Sequence, residues 1–352
     1  MAHKPSICTM SLGRCFAGHS LPHKLDMAQK YGFQGIEVFY EDLVDLADSF
    51  PGGSSLPANQ LAAARTIRQL CDARSLDIIC LQPFMHFAGL VDRAEHRRRL
   101  RELQLWFQLV RALGTDLVLF PSSFLSPDQV SEDMGLIVAD FAEAADMGLR
   151  EEPVVRFAVE ALCWGTRIDT WEASWDVVQR VDRPNFGICL DSYNILGRIY
   201  ADPAATTGRT PDCEEATVSS IKRLLSDVDV AKLFLLQVAD GERLDQPLDE
   251  HHAFYSAEQP CRMSWSRNAR LFYGEPQYGG YLPVKEVLRT IVHGLGFEGW
   301  LSFEVFNRRL TDTDKEVPEE MARRAAESWV KMKADVGLRT EDVVQPRLQA
   351  ML

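Results

Sequence analysis

The stretch Asn185–Asn194, NFGICLDSYN, decides how the chain is read. Phe186-Gly187-Ile188-Cys189-Leu190 is a short apolar run without a charge, the pattern of a strand buried on both faces. It stops at Asp191. A carboxylate closing such a run is costly unless a cation, hydrogen bonds or a raised pKa compensates it. The event recurs three times. Arg156-Phe157-Ala158-Val159 runs into Glu160, Leu233-Phe234-Leu235-Leu236 into Gln237, and Trp300-Leu301-Ser302-Phe303 into Glu304. Four oxygen-bearing side chains ending four apolar runs describe a cage for one hard divalent cation.

Working outward, Pro5–Met10, Gly35–Phe39, Leu76–Leu81 and Asp116–Phe120 read as four earlier strands. Helical spacing and propensity fall between the strands. A helix follows Ser20, a plausible N-cap with Pro22 in the first turn, and stops at Gly32. Others cover Asn59–Ala73, Arg93–Leu113, Ser131–Met147, the segment TWEASWDVVQRV capped by Asp169, Glu214–Val228, Pro283–Gly294 and Val317–Val336. Eight strands alternating with eight helices predict an α/β fold of the (β/α)₈ TIM-barrel type. Residues 1–338 form one catalytic domain in this reading, and 339–352 a C-terminal tail. A doubly wound sheet would want a glycine-rich turn after the first strand, which Ser11-Leu12-Gly13-Arg14 does not supply.

One segment breaks the rhythm. Val238 to Tyr281 is a long loop after strand seven, far above the usual βα connection of about 2–6 residues. It carries Arg243, His251, His252, Trp265, Ser266, Arg267, Arg270 and Tyr273, and in a barrel it overhangs the functional mouth. The alternative is an insertion packed on the outside.

The 352 residues are 46% hydrophobic, enough for a large core. A net charge of −13 and a pI near 5.1 leave no electrostatic footprint for nucleic acid. No apolar run approaches the roughly 18 residues of a membrane span, and the N-terminus has no long apolar segment of the secretory kind. The eight cysteines form no C-x-x-C pair, and Cys8, Cys80 and Cys189 sit inside strand-like runs. Reduced core thiols and a cytoplasmic setting are expected. The expected partner is a small-molecule substrate, with the barrel acting alone or as a homo-oligomer.

Strands five to eight are neighbours in a closed barrel, so Glu160, Asp191, Gln237 and Glu304 converge. An all-oxygen set selects Mg²⁺, Mn²⁺ or Co²⁺ over Zn²⁺. Taken singly, a strand-end carboxylate is more often a cap or salt-bridge partner, and Gln237 a core amide. Their coincidence at consecutive strand ends favours a site. Glu37 ends strand two and faces the same mouth, as a site residue or a salt-bridge partner. His86, after strand three, is a candidate acid or base, against a surface role. The adjacent His251 and His252 read as solvated.

VEALCWG, CLDSYN, QVADGERLD and FEVFNRRL resemble the metal-binding strand ends of the xylose-isomerase-like barrels, a group of sugar isomerases, epimerases and apurinic endonucleases. Within it, GIEVFYEDL, LQPFMHFAGL, LDSYN, LQVADGERLD and SWSRNARLFYGE look like the fungal form of the metal-dependent 3-dehydroshikimate dehydratases of quinate degradation. The resemblance implies dehydration of 3-dehydroshikimate to protocatechuate, with one divalent cation on Glu160, Asp191, Gln237 and Glu304. It implies that Ser266 and Arg270 bind substrate. Arg243, six residues past Gln237, has the spacing of an arginine that contacts substrate in related sugar epimerases. Glu160 and Glu304 are the proton-moving candidates, with His86 as a substitute. The bacterial dehydratases carry histidines where this chain has Asn194 and Asn268, so those bases are absent here. The competing readings are a sugar isomerase or epimerase on the same barrel, an apurinic endonuclease, which the charge and histidine placement oppose, and a non-catalytic regulator, which the intact ligand set opposes.

Overall fold

A computed structural model of the chain describes residues 2–340. Eight parallel strands close into a barrel: β1 (Lys4–Cys8), β2 (Gly35–Phe39), β3 (Asp77–Gln82), β4 (Leu117–Pro121), β5 (Arg156–Glu160), β6 (Phe186–Asp191), β7 (Leu233–Val238) and, after a two-stranded ribbon of β8 (Asp240–Gly241) and β9 (Arg270–Leu271), β10 (Trp300–Phe303). β10 pairs with both β7 and β1, so the barrel has no open edge. The expected TIM-barrel class holds. The greater part of the proposed tail, residues 341–352, lies outside the described residues.

Phe186 and Ile188 on β6 are fully buried against the helical layer, as are Phe120 and Phe157 on the neighbouring strands. Burial of one such side chain contributes about 1.5–3 kcal/mol. Gly187 is required for close strand approach, because a Cβ there would lie 2.3 Å from the Lys232 carbonyl oxygen. Inside the barrel the lower layer is small and apolar: Cys80, Leu117, Leu119, Ala158, Cys189 and Leu235. All eight cysteines are free, as the reduced-thiol reading expects.

The helices Arg93–Leu113 and Val317–Val336 have the expected bounds. Three others were not expected. Tyr40–Asp48 and Ser192–Ile199 start directly from β2 and β6 with no intervening loop, and Cys261–Ala269 lies within the long segment after β7. The cap of Trp171–Val181 is Thr170, whose side chain accepts from the Ala173 N–H. Asp169 instead pairs with Arg198 at 2.7 Å. Ser20 stands at the predicted N-cap, but its side chain makes no capping bond.

The long segment is anchored at both ends. Asp240 Oδ1 accepts from the N–H groups of Gly241, Tyr281 and Leu282, joining its start to its finish. Trp265 is buried on Tyr193 with ring centroids 4.7 Å apart, and its indole N–H donates to the Glu242 carbonyl at 2.8 Å. The segment thereby carries Ser266 and Arg270 inward over β6.

Candidate active site

Register brings the strand-end side chains together. Asp191 pairs with Gln237, Gln237 with Ser302, and Glu160 with Cys189, placing the acidic residues at one mouth of the barrel. One oxygen from each of Glu160, Asp191 and Glu304 lies within 4.8 Å of the others, and all three residues are buried. Asp191 also caps the helix that follows it, its Oδ1 accepting from the Tyr193 N–H at 2.9 Å. That bond fixes the carboxylate at the point where strand becomes helix.

The carboxylates are tied by three side chains that none of the strand-end patterns assigned. Asn194 Nδ2 donates to Glu160 Oε1 at 2.7 Å and to Asp191 Oδ2 at 2.8 Å. Its Oδ1 accepts from the Cys163 N–H at 3.1 Å, which sets the amide's orientation. Gln82 Nε2 donates to Glu304 Oε1 and Glu37 Oε2, both at 2.8 Å. Arg270 Nη1 donates to Asp191 Oδ2 at 2.8 Å and Glu304 Oε2 at 3.1 Å. Gln82 carried a usable signal, since it is the polar residue ending the apolar run of β3, as Glu160 and Glu304 end theirs.

Arg270 is 1% exposed, with Tyr193 and Phe306 rings 4.3 and 5.1 Å from its guanidinium carbon. Its Nε donates to Ser266 Oγ at 3.0 Å. Arg270, expected as a substrate-binding residue, therefore also contacts the carboxylate cluster. Nε and Nη1 serve the protein, and only Nη2 lacks an acceptor among the described residues. Ser266, the other expected substrate-binding residue, is buried with its Oγ against Arg270 Nε.

Burial pushes the Glu160 carboxyl well above its ordinary range, and the charges of Glu304 and Asp191 add to the shift. Burial pushes Glu304 up to about 8, with Arg270 opposing and Glu37 and Asp191 reinforcing. Asp191 is raised by burial against the pull of Arg270. Three carboxylates beside one guanidinium leave two uncompensated negative charges when all are ionised. The all-oxygen, buried, doubly negative set therefore fits one divalent cation.

Gln237 borders the cluster, and the other expected residues are spread around it. Gln237 is adjacent in register to Asp191, but its Nε2 donates to Glu37 Oε2 at 2.9 Å and its Oε1 accepts weakly from Cys189 Sγ at 3.4 Å. Glu37 is wholly buried and engaged by Gln82, Gln237 and Cys80, so it is not a mouth residue open to substrate. Arg243 is not with the carboxylates. Its side chain runs over Gly208, and the residue lines an outer groove with Glu242, Asp245 and Tyr278. His86 sits on the rim, half-buried, with Nδ1 3.2 Å from Ser123 Oγ and its ring edge-on to Phe124. Burial and the nearby Arg99 push its pKa down to about 4, so the imidazole is neutral at neutral pH. His251 is exposed, beside Glu250.

The family description "Xylose isomerase-like TIM barrel" matches residues 25–332. A 3-dehydroshikimate dehydratase of Neurospora crassa is 57% identical over 360 aligned residues, covering 100% of both chains. One from Pseudomonas aeruginosa is 32% identical over 302 residues, covering 86% of this chain but 38% of its own length. Among solved structures, the IolI protein, described with a binding zinc atom, superposes with a TM-score of 0.68 at 18% identity, covering 95% of this chain and 99% of that one. No helix among the described residues is long and apolar enough to cross a membrane.

Proposed function

This chain belongs to the xylose isomerase-like TIM barrel family, and from that membership and its buried mouth we infer that it is a 3-dehydroshikimate dehydratase, a hydro-lyase yielding protocatechuate. The observation that carries the reading is the 57% identity across the full length of the Neurospora crassa enzyme. The carboxylate cluster supplies a chemistry that suits it.

The reaction removes one water. A proton leaves the carbon next to the ketone, the C–O bond of a ring hydroxyl breaks, and the departing oxygen is protonated. The remaining ketone enolises to complete the aromatic ring. Glu160, Asp191 and Glu304 would hold a divalent cation, Mg²⁺, Mn²⁺ or Co²⁺ by their oxygen chemistry, with Gln237 Oε1 as a fourth donor. When bound, the cation supplies Lewis acidity toward the substrate carbonyl.

The chain's own groups divide the remaining work. Glu160 is the proposed proton acceptor, because no nitrogen donates to its Oε2 among the described residues. Both oxygens of Glu304 are engaged, by Gln82 and Arg270, so Glu304 is the less free of the two. Arg270 Nη2 is the edge available to the substrate carboxylate, and Ser266 keeps the guanidinium plane fixed for it. The flanking Tyr193 and Phe306 rings exclude water from that contact. His86 on the rim can accept a proton but, held neutral, lacks the acidity of an imidazolium.

The test is a chelated and restored assay with 3-dehydroshikimate, following the ultraviolet absorbance of protocatechuate. Activity lost to chelator and recovered with Mg²⁺ or Mn²⁺ supports the reading. A sugar isomerisation with no aromatic product would replace it.

A further inference from the structure

Below the carboxylate cluster, inside the barrel, lies a buried polar group that the chemistry above does not use. Glu37 is 0% exposed. Its Oε2 accepts from Gln237 Nε2 at 2.9 Å, Gln82 Nε2 at 2.8 Å and Cys80 Sγ at 3.4 Å. Ser302 Oγ lies beside this carboxylate, and neither it nor Glu37 Oε1 makes a well-formed hydrogen bond. A buried carboxylate with no cationic partner is expensive, and four polar groups at one spot need an explanation beyond packing.

A glutamine amide presents an oxygen at one end and two N–H donors at the other. Only the oxygen can ligate a cation. Gln237 is in register with Asp191, and the end of its amide turned from Glu37, Oε1, lies 3.4 Å from Cys189 Sγ on the strand that carries Asp191. Glu37 Oε2 accepts from Nε2, which leaves Oε1 facing away from Glu37. Gln82 extends the same frame, since one of its Nε2 hydrogens goes to Glu37 and the other to Glu304.

We propose that Glu37 is a positioning residue, which selects the oxygen end of Gln237 for the cation and, through Gln82, holds Glu304 in place. The arrangement parallels the carboxylate that orients a metal-ligating histidine, with an amide in place of the imidazole. It rests on the reading that the strand ends hold one divalent cation.

The test measures Mn²⁺ affinity of the full chain by chelator competition, with melting temperature in chelator as the fold control. Glu37→Gln is close to isosteric but can offer Gln237 either a donor or an acceptor, so the orientation is no longer forced. Mn²⁺ affinity should fall about 10–100-fold, the usual loss on removing an orienting partner. The exchange Glu37→Gln with Gln237→Glu should recover most of it. Its carboxylate at position 237 has two equivalent oxygens, one for the new amide donor and one for the cation. Unchanged affinity in Glu37→Gln overturns the proposal. So does a loss that the exchange fails to recover, which would mark a packing role. If Glu37→Gln alone does not fold, the exchanged variant must fold and bind Mn²⁺, or the proposal fails. Wild-type chain that binds no Mn²⁺ would instead sink the cation reading itself, before any variant is compared.

Discussion

Replacing Arg270 by methionine keeps much of its volume and removes its charge. Arg270 is 1% exposed and is the only cation in direct contact with the cluster among the described residues, at 2.8 Å from Asp191 and 3.1 Å from Glu304. Breaking a buried pair by removing one partner costs about 3–5 kcal/mol, because the other charge remains buried and uncompensated. With an unfolding entropy of roughly 2.1 cal/mol/K per residue, a chain of 352 residues loses about 4–7 °C of melting temperature. The loss should depend on pH. The carboxyl pKa values of Glu160, Asp191 and Glu304 are already raised by burial, and without Arg270 they rise further. The penalty is smallest near pH 5, where the cluster can protonate, and grows as pH rises toward and beyond the Glu304 value of about 8. Added Mn²⁺ should return part of the loss, since a saturated site at about 100 times Kd stabilises by roughly 2.7 kcal/mol. The assay is calorimetry of Arg270→Met and parent in chelator at both pH values, then with Mn²⁺. Equal melting temperatures at pH 8 in chelator would refute the claim that Arg270 compensates the cluster.

Other expectations follow from the same geometry. Glu160→Gln should abolish protocatechuate formation in the absorbance assay while leaving the fold intact by circular dichroism; retained turnover would remove Glu160 as the base. Asn194→Leu deletes two donors to carboxylates, each worth about 1.5–3 kcal/mol, and should lower both Mn²⁺ affinity and kcat by at least tenfold in steady-state kinetics. For the cation-free chain, the native state holds protons that the unfolded chain has released. Its stability should therefore fall as pH rises from about 4.5 toward the Glu304 value of about 8, and Glu304→Gln should flatten that slope in a calorimetric pH series. His86→Ala should slow turnover far less than Glu160→Gln, as a neutral rim residue would.

The barrel was legible because eight apolar runs alternate with helical periodicity, and four of those runs stop at Glu160, Asp191, Gln237 and Glu304. Asp191 and Glu160 announced themselves by breaking runs such as Phe186–Leu190. What stayed hidden depends on contacts distant in sequence. Arg270 meets Asp191 across 79 residues, and Gln82 meets Glu304 across 222, so no local pattern records either bond. Glu37 was legible as a strand-end carboxylate, but its depth depends on the register of β2 against β3, which shifts between Ile36 and Glu37. Arg243 was misplaced because spacing after Gln237 does not record that its side chain runs over Gly208. Tyr40–Asp48 and Ser192–Ile199 were missed because a helix that starts at the last strand residue has no loop to mark its beginning.

The most direct measurement is anomalous diffraction from crystals of the chain grown with Mn²⁺. One peak is predicted within about 2.5 Å of an oxygen from each of Glu160, Asp191 and Glu304, a distance typical of hard-cation ligation. No peak there, or a sole peak at the second acidic group of His96, Asp140 and Glu143, would contradict the account.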